Sequence, residues 1–241
     1  MFPQFTANAW LRFDAIRHGI AVVHPSSVLE MGPGLGAFAA WIAPKVDYVG
    51  VELDDRSRAR AQARLASVNR GRIVGGPNEV GSATFAMVCA FEVLEHIEDD
   101  VEALASWRAH LESRGYILLS VPAHSDRFGA HDEMVGHFRR YDRDELIVKL
   151  DKAGFAAERF TSYGVGLGQA LEWARNQSAR RREIAPTIDQ RTAASARVIQ
   201  PKSKFDVAAR AALAAPFRVL QAPFASSDYG VGYVVLARST S

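Results

Sequence analysis

Residues 28–38 read VLEMGPGLGAF: branched apolar residues, an acid at Glu30, then Gly32, Gly34 and Gly36, with Pro33 between the first two. The apolar run predicts a buried strand over Ser27 to Met31, and Ala37 to Ala43 a helix that Pro44 stops. Glycines in such a strand-to-helix turn permit tight turning and close backbone approach, leaving the helix N-terminus open to a ligand. Outward from this turn, strands and helices alternate. Tyr48 to Glu52 reads as a second strand, and Asp54 to Asn69 as a helix capped by Asp54. Arg72 to Val74 is a short third strand, Phe85 to Ala90 a fourth, Asp100 to Leu111 a helix and Tyr116 to Val121 a fifth strand. Asp144 to Ala153 forms a further helix closed by Gly154, and Phe155 to Tyr163 another strand. Parallel neighbours need crossover connections, so this order predicts an α/β fold, a doubly wound and mostly parallel sheet with helices on both faces.

Upstream, Trp10, Phe13, Ile16 and Arg17 fall at helical spacing and predict an N-terminal helix within residues 1–20, ended by Gly19. Downstream of about Gly164 the chain turns alanine-rich and basic, with Arg180, Arg181 and Arg182 in a row, before Tyr229 to Ala237 returns as a last strand. The 241 residues are 48% hydrophobic and 23% charged with a net charge of +2, a balance that fits one folded domain and does not call for a nucleic-acid partner. The single cysteine, Cys89, rules out a disulfide framework and a cysteine-based zinc cluster, and a reducing cytoplasm fits it. The first residues lack the pattern of a secretion signal, and no apolar run approaches the roughly 18 residues of a membrane span. Composition does not speak to oligomeric state.

The glycine spacing alone also satisfies a dinucleotide-binding turn. Glu30 separates the two readings, because a carboxylate at the strand end would repel a pyrophosphate yet attract an ammonium group. Glu52, after the second strand, is placed to accept hydrogen bonds from both hydroxyls of a ribose. The cofactor so described carries adenosine at one end, a cation at the other and no phosphate between, which describes S-adenosylmethionine.

Two further stretches extend the pattern. FAMVCAFEVLEHIEDDVEALASWRAHLESRGYILLSVPA, from Phe85, and GHFRRYDRDELIVKLDKAGF, from Gly136, fall in order behind the glycine turn. Together they resemble the class I S-adenosylmethionine-dependent methyltransferases, in particular the small-molecule subgroup, over residues 25–165. The resemblance implies a Rossmann-like sheet of seven strands whose last is antiparallel, supplied by Tyr229 to Ala237. It implies one domain: the N-terminal helix, a cofactor-binding core over 25–165, a helical lid over 166–226 and a terminal strand over 227–241. Glu30, Gly32, Pro33, Gly34 and Gly36 match the loop around the methionine part, Glu52 the ribose-binding acid, Leu53 the residue packed on adenine, and Ala90 and Phe91 the residues beneath the sulfonium. The family often has an aspartate after the third strand that accepts from the adenine amino group. Here Gly75-Gly76-Pro77-Asn78-Glu79 stands instead, and either Asn78 or a backbone carbonyl takes that role.

Methyl transfer from a sulfonium is an in-line displacement that mainly requires alignment in a dry pocket, but an alcohol or phenol must also lose its proton. His96 in EVLEH, and His131 and His137 in AHDEMVGHFRRY, are candidates to take it, with His137 preferred and Glu92 beside them. The alternative, structural roles are a loop anchor for His96 and an arch anchored by Arg139 or Arg140 for GHFRRY. Glu92, Glu95 and His96 form an E-x-x-E-H pattern resembling one that holds a divalent ion in ubiquinone-pathway O-methyltransferases and small-RNA 2′-O-methyltransferases, with His131 or His137 as a fourth ligand. Many relatives with EVLEH use no metal, and none is assigned from sequence. Ala90-Phe91-Glu92-Val93 lacks the Asn/Asp-Pro-Pro-aromatic motif of adenine enzymes, and Cys89 lacks the preceding proline of cytosine C5 enzymes. The basic segment Glu172 to Phe224 reads as a lid, an anion-recognising surface or a lipid-touching patch, with the lid favoured and Tyr163, Trp173 and Phe217 lining it. The function expected is therefore methylation of a small molecule, on oxygen, with no nucleic-acid partner and no integral membrane association. The rivals are a catalytically silent methyltransferase fold and an NAD(P)-dependent oxidoreductase.

Overall fold

The computed structural model describes residues 7–181, 212 and 215–241. The strands are β1 (Ser27–Met31), β2 (Asp47–Val51), β3 (Arg72–Val74), β4 (Phe85–Phe91), β5 (Leu111–Pro122), β6 (Phe155–Tyr163) and β7 (Gly232–Ser239). Among the described residues they form one seven-stranded sheet in the order β3-β2-β1-β4-β5-β7-β6. The pairs from β3 through β5 are parallel, and β7 lies antiparallel between β5 and β6. The helices are α1 (Ala7–Val23), α2 (Ala37–Ile42), α3 (Asp55–Ala66), α4 (Asp100–Arg108), α5 (Ala130–Val135), α6 (Arg143–Lys152) and α7 (Leu167–Ala179).

Side chains that alternate along each strand divide the core into two layers. On one face Leu29 and Val88 pack with Trp107, Leu146 and Leu150 from α4 and α6. On the other, Val28, Met87 and the free thiol Cys89 pack with Leu11, Phe38, Ile42 and Leu65 from α1, α2 and α3. With both faces covered, these strands read as unbroken apolar runs, and each fully buried leucine or valine contributes about 2 kcal/mol. Asp54 caps α3 as expected, accepting from Ser57 N at 2.9 Å.

Several elements differ from the sequence reading. Gly19 does not end α1, which runs on to Val23; a Cβ there would lie 2.8 Å from Leu118 Cδ1, so the glycine lets the helix approach β5 closely. The fourth helix stops at Arg108, because Leu111 already pairs with Phe85 at the start of β5. The last strand begins at Gly232, leaving Tyr229 exposed. The segment read as an arch contains the short helix α5. Of the appendage, α7 and residues 215–224 are described, while Arg182, Val207 and Leu213 lie outside the described residues. Its far end docks on α1: Arg218 pairs with Asp14 at 2.6 Å, and Gln221 bridges Leu11 O and Gly164 N. Among the described residues no helix is long and apolar enough to cross a membrane.

Candidate active site

The parallel register sets Met31 beside Val51 on one side and Ala90 on the other, so β1, β2 and β4 end abreast. The order of the sheet reverses between β1 and β4, and the crevice at such a switch point is where α/β sheets receive ligands. The glycine turn opens there. Gly32 N donates to Val51 O at 2.9 Å, and Gly36 N to Pro33 O at 2.9 Å. Gly32 and Gly36 have φ of 64° and 73°; a Cβ would sit 2.7 Å from Val93 Cγ2 at the first and 2.9 Å from Ala61 Cα at the second. Gly34 shares the left-handed backbone at φ 55°, yet an added Cβ would meet nothing within 4 Å. The first and last glycines therefore pack the turn, while the middle one presents bare backbone to open space.

Across from it, the Glu52 carboxylate accepts from Gly34 N at 2.8 Å and Asp54 N at 3.1 Å. Burial raises its pKa, and those two amides work against the rise. Leu53 beside it is 73% exposed, offering a free apolar surface at the mouth of the crevice. Asn78 is also exposed, in the single turn Pro77–Glu79. Pro33 and Ala90 are buried, and Phe91 stands edge-on to Phe38 with centroids 4.8 Å apart.

Glu30 departs from a simple charged end group. It is 3% exposed and accepts a hydrogen bond from Tyr48 Oη at 2.5 Å. Burial pushes its pKa up to about 8, so the side chain keeps its proton at neutral pH. The charge expected from the sequence thus requires a cation beside it.

Beyond β4 the backbone enters the left-handed region at Glu92, φ 58°, where a non-glycine residue is strained. The turn returns its carboxylate to the protein, where Oε1 accepts from Ser120 Oγ at 2.9 Å and Tyr163 Oη at 3.1 Å and pairs with Arg12 Nη1 at 3.2 Å. Burial favours the protonated form, but Arg12 and the hydrogen bonds outweigh it and hold the pKa of Glu92 below the usual range. Glu92 thereby joins α1, β5 and β6. Arg12 was not anticipated; the available signal was an arginine inside the apolar stretch Trp10-Leu11-Arg12-Phe13. Tyr163 is buried against Glu92, whereas Trp173 is 67% exposed.

Next to this hub stand Glu95, His96 and His137. Glu95 is 0% exposed, and neither of its carboxylate oxygens accepts a hydrogen bond. Burial and the charge of Glu92 push its pKa well above the carboxylate range. The rings of His96 and His137 meet edge to face, 4.6 Å between centroids. His96 Nδ1 lies 3.2 Å from Gly136 O, and His137 Nδ1 lies 2.8 Å from Asp132 Oδ1. Both partners only accept, so each Nδ1 carries the hydrogen and each Nε2 the lone pair. His137 Nε2 is 3.8 Å from Glu95 Oε1. Asp132, unanticipated from sequence, also accepts from Gly129 N and Arg140 Nε; although burial opposes it, His137 and Arg140 hold its pKa down to about 2. Arg140 pairs in turn with Glu172 of α7, tying the appendage to the arch.

Burial, with His137 alongside, pushes His96 down to about 4, and burial with Arg175 pushes His131 to about 4. His131 N donates to Asn176 Oδ1 at 2.9 Å, while its Nδ1 is buried without a partner. Donor atoms of Glu95, His96 and His137 lie within 4.8 Å of one another; Glu92 and His131 fall outside that group.

Residues 12–159 match the family model described as a methyltransferase domain. No curated protein matches the sequence. Among solved structures, the YcgJ protein of Bacillus subtilis superposes with a TM-score of 0.60 at 11% identity, covering 95% of this chain and 99% of that one. An S-adenosylmethionine-dependent methyltransferase from Mesorhizobium loti gives 0.57 at 15%, with 94% and 97% covered. The N-methyltransferase NodS from Bradyrhizobium japonicum, solved with S-adenosyl-L-homocysteine, gives 0.53 at 18%, with 64% and 77% covered.

Proposed function

Because the chain belongs to the methyltransferase-domain family, with S-adenosylmethionine as its cofactor, we propose that it methylates a small molecule and that the methyl group goes to oxygen. The bare turn at Gly34, open where a side chain would stand, fits the methionine part of that cofactor. Gly32, Pro33 and Gly36 shape the turn, Glu52 holds the ribose, Leu53 and Phe91 border the adenosine and sulfonium, Ala90 forms the floor, and Asn78 receives the adenine amino group. Glu30 becomes ionised when the ammonium group arrives. The bound cofactor supplies an electrophilic methyl on a sulfonium, and the protein's work is to align an acceptor with it and remove a proton.

The observation that carries the reading is the contact between two unlike surfaces. Gly32 and Val93 touch, so the open glycine turn lies directly against the loop holding Glu92, Glu95 and His96. An acceptor beside Gly34 would reach buried imidazoles and carboxylates suited to receiving a hydroxyl proton. A primary amine loses its surplus proton to water without such a group, which favours oxygen. His131, near the same arch, faces the acceptor as a neutral imidazole, and Glu92 fixes the loop through Arg12.

A second reading follows from NodS, whose acceptor atom is nitrogen. Calorimetry with S-adenosylmethionine, S-adenosylhomocysteine and NADH comes first: tight binding of the first two alone is expected, and binding of none would favour a silent scaffold. Incubation with matched phenols, aliphatic alcohols and amines, scored by S-adenosylhomocysteine released, then tests the acceptor. Turnover confined to amines would refute the assignment to oxygen.

A further inference from the structure

We propose that Arg175 of α7 binds a carboxylate group of the acceptor, so that the substrate is a hydroxy acid anchored by its carboxylate while its hydroxyl is presented to the cofactor. The inference rests on reading this crevice as the acceptor's, and it names the acceptor's chemical class.

The placement of Arg175 comes from the helix. Gly168, Glu172, Arg175 and Ala179 recur at the spacing of a single face of α7. That face is turned to the crevice, since Gly168 and Ala179 are buried and Glu172 pairs with Arg140 of the arch. Beside it, Asn176 Oδ1 accepts from His131 N at 2.9 Å. Arg175 is carried inward between these contacts, and its charge acts on His131 and interacts with Glu92 and Tyr163.

Its guanidinium is unmatched there. Nε donates to Leu171 O at 3.2 Å, one turn back on the same helix, and among the described residues the two Nη groups have no acceptor and no carboxylate partner. The other guanidiniums around the crevice are matched: Arg12 by Glu92, Arg140 by Asp132 and Glu172, and Arg127 by the second oxygen of Glu172. Arg175 is left over, while Glu30 and Glu95 are held toward their protonated forms. Burial outweighs the opposing pull of Glu92 and lowers the pKa of Arg175, so the protein desolvates this charge more than it compensates it. His131 Nδ1, buried without a partner, can donate to the same anion.

One surplus positive charge calls for a monoanion, and two free Nη groups in a plane match the two oxygens of a carboxylate. A phosphate dianion would set uncompensated negative charge beside Glu92 and Glu172. The cofactor has a carboxylate of its own, but the arginine whose charge reaches Glu30 at the glycine turn is Arg12. A neutral analogue of the acceptor would leave Arg175 desolvated and unpaired, and that is the source of selectivity.

The test titrates the full chain, with and without S-adenosylhomocysteine, against benzoate, benzamide and inorganic phosphate by ligand-detected NMR. Benzoate is expected at one saturable site, with benzamide and phosphate at least about tenfold weaker. Arg175→Gln should abolish the preference for benzoate over benzamide, and Arg175→Met does the same duty if Arg175→Gln does not fold. Both variants should bind S-adenosylhomocysteine as wild type does. No benzoate binding, equal benzoate binding by wild type and variant, or phosphate bound ahead of benzoate would each overturn the proposal. So would a loss of S-adenosylhomocysteine affinity in the variant, which would give the guanidinium to the cofactor's carboxylate. S-adenosylhomocysteine binding to a chain that ignores benzoate leaves the methyltransferase reading standing, and benzoate binding at Arg175 in a chain that takes no S-adenosylhomocysteine sinks only that reading.

Discussion

Replacing Glu52 probes the cofactor side most directly. Its carboxylate accepts two backbone hydrogen bonds, from Gly34 at 2.8 Å and Asp54 at 3.1 Å, and so fixes the glycine turn while standing where the ribose hydroxyls are to be received. Hydrogen bonds contribute about 1–1.5 kcal/mol each net of the water they replace, and Glu52→Ala removes the acceptor from one or two of them in the bound state. The expected loss is about 1–3 kcal/mol, or about 5- to 150-fold in the dissociation constant of S-adenosylhomocysteine. Glu52→Gln should fall at the lower end, because one oxygen still accepts while the amide nitrogen opposes a backbone N–H. Isothermal titration gives the affinity, and thermal unfolding without ligand gives the part due to loosening of the turn. That part should stay near 1 kcal/mol, a shift of about 2–4 °C for a chain of this size. An affinity within twofold of wild type for both variants would refute the ribose role and the argument from strand ends behind it.

Gly36→Ala should destabilise the fold by about 2 kcal/mol, since it adds both a 2.9 Å clash with Ala61 and a positive φ, whereas Gly34→Ala should cost only about 1 kcal/mol for the φ; equal melting points in the two variants would contradict the packing described. Glu30 has its pKa raised from 4.5 to about 8, so as pH rises through that window the unfolded chain gives up a proton the folded chain retains, and stability falls. Denaturant melts from pH 5 to 9 should show this decline in wild type and a flatter profile in Glu30→Gln, and parallel profiles would remove Glu30 as its source. Asp132→Asn deprives His137 Nδ1 of its charged partner and should lower turnover by about ten- to hundredfold with S-adenosylhomocysteine affinity unchanged. Full turnover in that variant would make Asp132 a purely structural partner of Arg140.

Much of the fold is written in short stretches of the chain. Ser27–Met31, Arg72–Val74 and Phe155–Tyr163 are strands with the limits their residues suggest, and the α3 cap at Asp54 is visible in the sequence. The glycines at 32, 34 and 36 announce a turn of positive φ before any coordinate does. These features depend on neighbours a few residues apart, where steric rules and periodicity act. Gly19 misleads for the same reason: read locally it is a helix stop, whereas a side chain of β5, Leu118, decides that it is a point of close packing.

The chemistry of the site was legible as a roster of residue types and not as partnerships. His96, His131, His137 and Glu92 were marked as candidates, but only the folded chain sets Arg12 against Glu92 across 80 positions, puts Asp132 behind His137, and leaves the Glu95 carboxylate buried with no hydrogen bond. Glu30 shows the distinction most clearly. The sequence by itself determined that an acid ends the first strand; tertiary structure decided, by burying that acid against Tyr48, that it keeps its proton at neutral pH. Desolvation depends on everything packed around a group, and a linear spacing carries no measure of it.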